Sequence, residues 1–282
     1  MRYLKTWITA GVCLAAVAAV VGAGEVLSAP AHSRLGEPPP DLHASTVQIG
    51  DVSGWMIPGR PGMGAVLLLH GVRANRSAML GRARFLARDG YTVLLIDLPA
   101  HGESGGVRIT FGAREKEGVR AALAWLRTQV PGERIGAIGV SLGAAALVLA
   151  HPAPALDAVV LESMYPTIEE AVANRLRMRL GAPGAWSTPL LVAQLPWRVQ
   201  VAASALRPIV DIAAMTSPLF IVSGTRDTQT PPAETRRIFD AVRASKAFWL
   251  VEGAAHENLH AFAGAEYEQR VGDFLASHLR QG

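Results

Sequence analysis

The chain has 282 residues, of which 50% are hydrophobic and 18% are charged, a length and composition that suit one α/β domain preceded by a leader. Its formal net charge of +4 is spread along the chain rather than gathered in a Lys/Arg block, which argues against a nucleic-acid-binding surface. The single cysteine, Cys13, excludes an intrachain disulfide and a cysteine-rich metal site.

The N-terminus has the pattern of an export signal. Arg2 and Lys5 form a positive start, and the 18 residues from position 7 to position 24 carry no charge. At about 1.5 Å per residue this run reaches ~27 Å, close to the thickness of a bilayer core. Ala29-Pro30-Ala31 offers a small-x-small sequence where a signal peptidase could cut. Residues 1–29 therefore predict a cleaved signal peptide or an uncleaved membrane anchor, and either one predicts an extracytoplasmic protein, secreted or membrane-anchored.

A proline-rich stretch follows the leader. Residues 30–41 contain Pro38-Pro39-Pro40 and predict an extended tether, so we expect the folded domain to cover residues 42–282. Residues 46–49 and 54–57 then predict two strands of a hairpin, with Gly50-Asp51 near the turn.

From residue 65 onward, apolar runs alternate with helix-like segments. The runs are continuous, which is typical of parallel strands that are buried on both faces. Predicted strands cover residues 65–69, 92–96, 134–138, 158–161, 219–222 and 247–251. Predicted helices cover residues 78–88, 115–127, 144–150, 233–244 and 266–279. The alternation predicts an α/β fold with a mostly parallel sheet, helices on both faces, and a ligand site at the carboxyl ends of the strands.

The alternation is interrupted at about residues 165–206. Pro183, Pro189 and Pro196 break two helix-like patches there, which predicts a small helical cap inserted over the edge of the sheet. Several large apolar residues in the cap would give a substrate pocket an apolar lining, or they merely pack the cap together. They are Met178, Leu180, Trp186, Leu190, Leu191, Leu195 and Trp197, with Arg175, Arg177 and Arg179 as a basic edge.

Gly139-Val140-Ser141-Leu142-Gly143 lies between a predicted buried strand and a predicted helix. Gly-x-Ser-x-Gly in this context is the pattern of a nucleophile elbow, a turn so tight that only glycine fits beside the serine. The pattern predicts that Ser141 is a catalytic nucleophile.

Two further residues complete a predicted catalytic triad. A serine hydroxyl needs a base to take its proton, and His256 follows the last predicted strand through a short loop. Asp227 follows the preceding strand and would orient the imidazole and stabilise its charged form. The chain order Ser141, Asp227, His256 is the order expected for this type of fold.

Other interpretations of these residues stay open at the sequence level. Asp227 precedes a predicted helix and could cap it, and Glu162 ends another strand and is a rival acid. His101 and His260 are rivals of His256 as the base.

An oxyanion hole requires two backbone N–H groups aimed at the developing negative charge. We expect one from Leu142, directly after the nucleophile, and one from Val72, in the loop after the strand at 65–69. In this arrangement His70 is a structural residue at the end of that strand and not a base.

With these residues in place, the chain resembles the α/β-hydrolase superfamily from about residue 47 to residue 279. The resemblance is carried by His70-Gly71, by the segment 97–104, by the elbow at Ser141, and by Asp227 and His256. The segment 97–104 is similar to a structural Asp-x-x-Gly-x-Gly-x-Ser loop of that superfamily. The resemblance implies a serine hydrolase that cleaves carboxylic esters, with acyl lipids and thioesters as options, through an acyl-enzyme.

Within the superfamily, the chain looks most like the Bem46-like group of membrane-anchored serine hydrolases. The similarity lies in the apolar N-terminus, in residues 73–77, and in residues 223–227 ahead of Pro231-Pro232; Ala144 departs from it where many relatives carry glycine. The expected partners are a small-molecule or lipid ester and a membrane, with no cofactor, no metal and no nucleic acid. A serine peptidase and a non-catalytic binding protein of the same fold are the alternatives.

Overall fold

The computed structural model describes residues 2–281, and up to residue 16 it describes side chains only at positions 7, 11, 14 and 15. Parts of the predictions concern atoms that the structure does not describe. These are Met1, Gly282 and the side chain of Cys13. The strands are β1 (Ala31–His32), β2 (Ser45–Ile49), β3 (Val52–Ile57), β4 (Ala65–Leu69), β5 (Thr92–Ile96), β6 (His101–Gly102), β7 (Ile135–Val140), β8 (Ala158–Glu162), β9 (Leu219–Gly224) and β10 (Lys246–Val251).

Eight of these strands form the central sheet, in the order β10-β9-β8-β7-β4-β5-β3-β2. The strands from β10 to β5 are all parallel, whereas β3 is antiparallel to both β2 and β5. Every residue of β4 and β5 is buried, which explains why their sequences are continuous apolar runs. The predicted mostly parallel sheet is confirmed.

The helices are α1 (Arg2–Ser28), α2 (Leu80–Arg88), α3 (Glu115–Gln129), α4 (Leu142–Leu149), α5 (Ile168–Leu180), α6 (Thr188–Val192), α7 (Leu195–Arg198), α8 (Pro208–Asp211), α9 (Pro232–Ala241) and α10 (Leu259–Leu279). Alternate residues of β4 pack into two separate cores. Leu67 belongs to the core that contains side chains from α3, α4 and α9, and Leu68 belongs to the core with α2 and α10. The sheet is therefore covered by helices on both faces, as the sequence predicts.

The cap between β8 and β9 consists of α5, α6, α7 and short 3₁₀ turns. Pro183, Pro189 and Pro196 each lie in the first turn of a helical segment, where a missing N–H costs no helical hydrogen bond. The prolines thus divide the cap into more and shorter helices than the two patches that the sequence indicates.

The N-terminal segments contact the domain. Ala31 N donates to Ala100 O at 2.8 Å, and β1 pairs with β6, so part of the predicted tether is hydrogen-bonded to the loop after β5. Leu42 is buried in the core beneath α2 and α10. Across the residues that the structure describes, no helix combines the length and the apolarity needed to cross a membrane.

Candidate active site

Ser141 lies in a strained turn between β7 and α4. Its φ of 51° and ψ of −108° are a backbone conformation that residues with a side chain rarely adopt. A Cβ added to Gly139 would lie 2.7 Å from Ala144 Cα, and one added to Gly143 would lie 2.5 Å from Leu69 O. Both glycines are therefore required by close backbone packing, and the strained turn lifts Ser141 to the carboxyl edge of the sheet.

The loop after β4 lies beside this turn. A Cβ added to Gly71 would lie 3.7 Å from Ser141 Cβ, which places residues 70–73 next to the serine. Leu142 is the first residue of α4, so its N–H has no partner inside the helix. Within the described part of the chain, the N–H groups of Leu142 and Val72 donate no hydrogen bond to another residue.

The His70 side chain fixes that loop through hydrogen bonds to backbone groups of Gly71 and Leu98. Leu98 N donates to His70 Nε2 at 3.0 Å, so Nδ1 carries the proton and donates to Gly71 O at 2.7 Å. Burial lowers the pKa of His70 to about 3, so the ring stays neutral at ordinary pH. These contacts agree with a structural role for His70.

Asp227 and His256 meet at the ends of β9 and β10. His256 Nδ1 lies 2.8 Å from Asp227 Oδ2, and the Asp227 side chain is fully buried whereas 16% of the His256 side chain is exposed. Asp227 also accepts bonds from the N–H groups of Gln229 and Thr230 and from the Thr230 hydroxyl, at 2.7–2.8 Å. Burial raises the pKa of Asp227, but the hydrogen bond and charge of His256 and the bonds from Thr230 outweigh it and lower the pKa below its ordinary value. Asp227 is thus held as a carboxylate.

The structure does not join all three predicted triad residues. Among the described residues, Ser141 Oγ makes no hydrogen bond, neither to His256 nor to any other group. With Nδ1 engaged by Asp227, Nε2 is the ring nitrogen of His256 that is available to another partner. Catalytic hydrogen bonds are often long without substrate, so the Ser141–His256 contact stays a prediction.

The rival residues have other partners. Glu162 forms a buried ion pair with Arg82, and its Oε1 accepts a hydrogen bond from the Tyr267 hydroxyl at 2.5 Å. His101 is buried, with Nδ1 2.9 Å from Pro99 O, and His260 Nε2 lies 3.0 Å from Glu268 Oε1. Asp227 does not cap α9, because the N-cap of that helix is Pro231.

One part of the site has no counterpart in the sequence analysis. Arg82 Nη1 donates to Asn258 Oδ1 at 2.9 Å, and Asn258 follows His256 by two residues and caps α10. The pair of Arg82 and Glu162 therefore anchors the loop that carries His256. A signal was present, because Arg82 interrupts the apolar face of α2 formed by Ala83, Phe85 and Leu86, where an arginine needs a buried partner.

Comparison with known proteins gives consistent matches. A family model described as "Alpha/beta hydrolase family" matches residues 66–270. The chain is similar to the uncharacterized protein YqkD of Bacillus subtilis, with 24% identity over 229 residues, covering 80% of this chain and 75% of that protein. An esterase of Pyrococcus furiosus superposes with a TM-score of 0.74 at 25% identity, covering 90% of this chain and 98% of that one. A membrane phospholipase A, at 16% identity, has the same fold with a TM-score of 0.64, covering 98% of this chain and 99% of that one.

Proposed function

The chain belongs to the α/β-hydrolase family, and on that premise we propose that it hydrolyses carboxylic esters with Ser141 as nucleophile, His256 as base and Asp227 as orienting acid. The observation that carries this proposal is the strained Ser141 turn, on the same sheet edge as the hydrogen-bonded His256–Asp227 pair. The similarity to the Pyrococcus furiosus esterase supports ester bonds as the target.

The proposed reaction has two half-reactions. His256 Nε2 takes the Ser141 proton while Oγ attacks the ester carbonyl carbon, and the same proton then goes to the departing alkoxide as the acyl-enzyme forms. Water, deprotonated by His256, attacks the acyl carbon in the second half, and Ser141 Oγ leaves and regains a proton. The N–H groups of Leu142 and Val72 would donate to the oxyanion in both halves, since neither donates to another group in the described part of the chain.

The electrostatics of the pair support this division of roles. The Asp227 carboxylate, with its pKa held below the ordinary range, stabilises the imidazolium that forms when His256 accepts the proton. It also fixes the proton of the neutral ring on Nδ1, which leaves Nε2 free to act as the base.

The proposal is tested by labelling the full-length chain and its Ser141→Ala variant with a fluorophosphonate probe. We expect labelling and nitrophenyl-ester hydrolysis in the natural chain, and loss of both in the variant. Ser163→Ala is a matched control, because Ser163, like Ser141, directly follows a strand, is buried and has a positive φ. Labelling that survives in Ser141→Ala, or no labelling of the folded natural chain, would overturn the proposal, and hydrolysis of aminoacyl amides alone would favour a peptidase.

We expect the cap to determine which acyl groups the enzyme accepts. The apolar residues of the cap, such as Leu191 and Leu195, support an apolar acyl pocket. We therefore propose an acyl-chain preference, with nitrophenyl octanoate cleaved faster than the acetate. A strong acetate preference would contradict it.

Two finer expectations remain proposals. The first is membership of the Bem46-like group, which the apolar start and the residues around Arg73 support. The second is export, secreted or membrane-anchored, which rests on residues 1–29. Fractionation of cells that express the full-length chain tests export, because recovery from the cytoplasm would contradict it.

A further inference from the structure

Exposed apolar side chains are concentrated on one part of the molecule. Of the fourteen large apolar side chains that are exposed among the described residues, eleven lie on α1 and the cap. We call these eleven the α1–cap face: Trp7, Leu14, Val17, Val21, Val26, Leu27, Met178, Leu180, Trp186, Leu190 and Trp197. Trp186 is 83% exposed, although tryptophan side chains are highly buried on average. An apolar concentration of this kind marks a binding surface.

The two parts of this face are joined by direct contacts. A Cβ added to Gly24 of α1 would lie 2.2 Å from Gln194 Oε1, so the helix backbone closely approaches the cap. Gln194 Nε2 donates to Val20 O at 3.0 Å, and Arg198 forms an ion pair with Glu25. The groove along this contact is lined by apolar residues of both parts: Val17, Val20, Val21, Leu190, Ala193 and Trp197, with Gln194. The middle of the face, around Val21, Leu190 and Trp197, is therefore one surface contributed by two distant segments of the chain.

The cap has a net positive charge, and its arginines follow its two acidic residues in the chain. The cap, residues 165–206, contains four arginines and two glutamates, Glu169 and Glu170 at the start of α5, which gives it a net charge of +2. Arg177 and Arg179 are exposed, next in sequence to the apolar Met178 and Leu180 of the face.

We propose that the α1–cap face binds the surface of an anionic phospholipid bilayer. Tryptophan and leucine side chains enter the boundary between headgroups and acyl chains, and arginines beside them reach anionic headgroups with their guanidinium groups. This inference goes beyond ester hydrolysis, because the binding does not depend on the chemistry at Ser141.

A second copy of the chain is a less suitable occupant. Pairing two of these faces would bring two caps of charge +2 together, with the exposed Arg177 and Arg179 of each, and like charges at an interface oppose association. A bilayer with negative headgroups offers acyl chains to the apolar side chains and anionic groups to the arginines. A purely apolar partner surface offers nothing to the arginines.

The test uses the full-length chain with Cys13→Ser and one new cysteine that carries an environment-sensitive fluorophore. The new cysteine replaces Trp186 or Leu190 in the face, or Val210 as the control. Leu190 and Val210 are matched, being 58% and 60% exposed, but α8, which carries Val210, packs against α4 and α9. Each protein is mixed with vesicles of phosphatidylcholine with phosphatidylglycerol, or of phosphatidylcholine alone.

We expect the probes at 186 and 190 to shift to the blue with the anionic vesicles and to be quenched by nitroxide-labelled lipids, while the probe at 210 does not respond. Arg177→Gln and Arg179→Gln should each weaken the affinity for anionic vesicles about five-fold, since a basic residue near the membrane contributes about 1 kcal/mol. Circular dichroism confirms that each variant is folded. Because the probes report on the cap itself, insertion of α1 alone would leave them unshifted.

Three results would overturn the proposal. The probes at 186 and 190 could stay as water-exposed as the probe at 210 when vesicles are added. They could respond equally to neutral vesicles, which would remove the role of the arginines. They could also shift without vesicles as protein concentration rises, which would assign the face to a second copy of the chain. None of these results bears on Ser141, so the proposed hydrolysis is judged separately.

Discussion

The carboxyl edge of the sheet and the cap above it are built in opposite ways. At the edge, charged groups are buried and each has fixed partners, as with Asp227 and with the Arg82–Glu162 pair. In the cap, large apolar groups are exposed and the helices are short. The difference teaches that the edge holds a few polar atoms in fixed positions, whereas the cap leaves large apolar side chains in contact with solvent, which is the basis of the proposed bilayer binding.

We expect the largest effect from removing the charge of Asp227 at the sheet edge. Asp227→Asn should reduce turnover of nitrophenyl esters about 10³- to 10⁴-fold, because an amide no longer fixes the tautomer of His256 or stabilises its charged form. Asp240→Asn, on the exposed side of α9, is the control and should leave turnover unchanged. Equal activity of the two variants would remove Asp227 from the proposed mechanism.

The same carboxylate contributes to the pH dependence of stability. Its pKa is lowered in the folded protein, so its contribution is fully present above the unfolded pKa of about 3.9 and is lost as the pH falls through the folded value. Denaturant unfolding of the natural chain and of Asp227→Asn should therefore differ most at neutral pH and converge in acid. A difference that grows on acidification would contradict this sign.

The next largest effect is expected from removing Arg82, which anchors the loop that carries His256. Arg82→Met leaves Glu162 buried without its cation and should lower the free energy of unfolding by about 3–5 kcal/mol. Arg84→Met, two residues along α2, removes only an exposed pair with Asp41 and should cost less than about 1 kcal/mol. Denaturant unfolding of both variants measures the contrast, and adding Glu162→Gln to Arg82→Met should recover part of the loss. Equal losses for the two single variants would refute the support role.

The smallest effect is expected from a substitution that disrupts the contact between α1 and the cap. Gly24→Leu introduces a side chain where a Cβ already lies 2.2 Å from Gln194, while Gly22→Leu, half a turn away, has no neighbour within 4 Å. We expect hydrogen exchange of residues 20–28 to become about ten-fold faster in the first variant, since overpacking costs about 1–3 kcal/mol. Gly22→Leu should not accelerate it. Similar exchange in both variants would show that the contact contributes nothing to the stability of α1.

The sequence predicted most of the sheet, because residues buried on both faces leave continuous apolar runs such as 65–69. It predicted α10 seven residues too short, since the start of that helix at Leu259 depends on the side chain of Asn258. It also missed the contact of Arg82 with Glu162: the position of Arg82 on the apolar face of α2 indicates a buried partner, but no periodicity identifies a partner 80 residues away. The chain order of Ser141, Asp227 and His256 predicts a triad, of which the geometry joins Asp227 and His256, and the Ser141–His256 contact stays a prediction.

The pairing of β1 with β6 constrains the timing of any processing of the leader. Ala31, the last residue of the small-x-small motif, donates to Ala100 O, and two residues later Ser33 N donates to Gly102 O at 2.9 Å. A peptidase needs its target in an extended and accessible form, which a hydrogen-bonded strand denies it. Cleavage after Ala31 would therefore have to precede folding, so a chain that folds before it meets the peptidase would keep its leader, and the rate of folding would decide between the two predicted fates of residues 1–29.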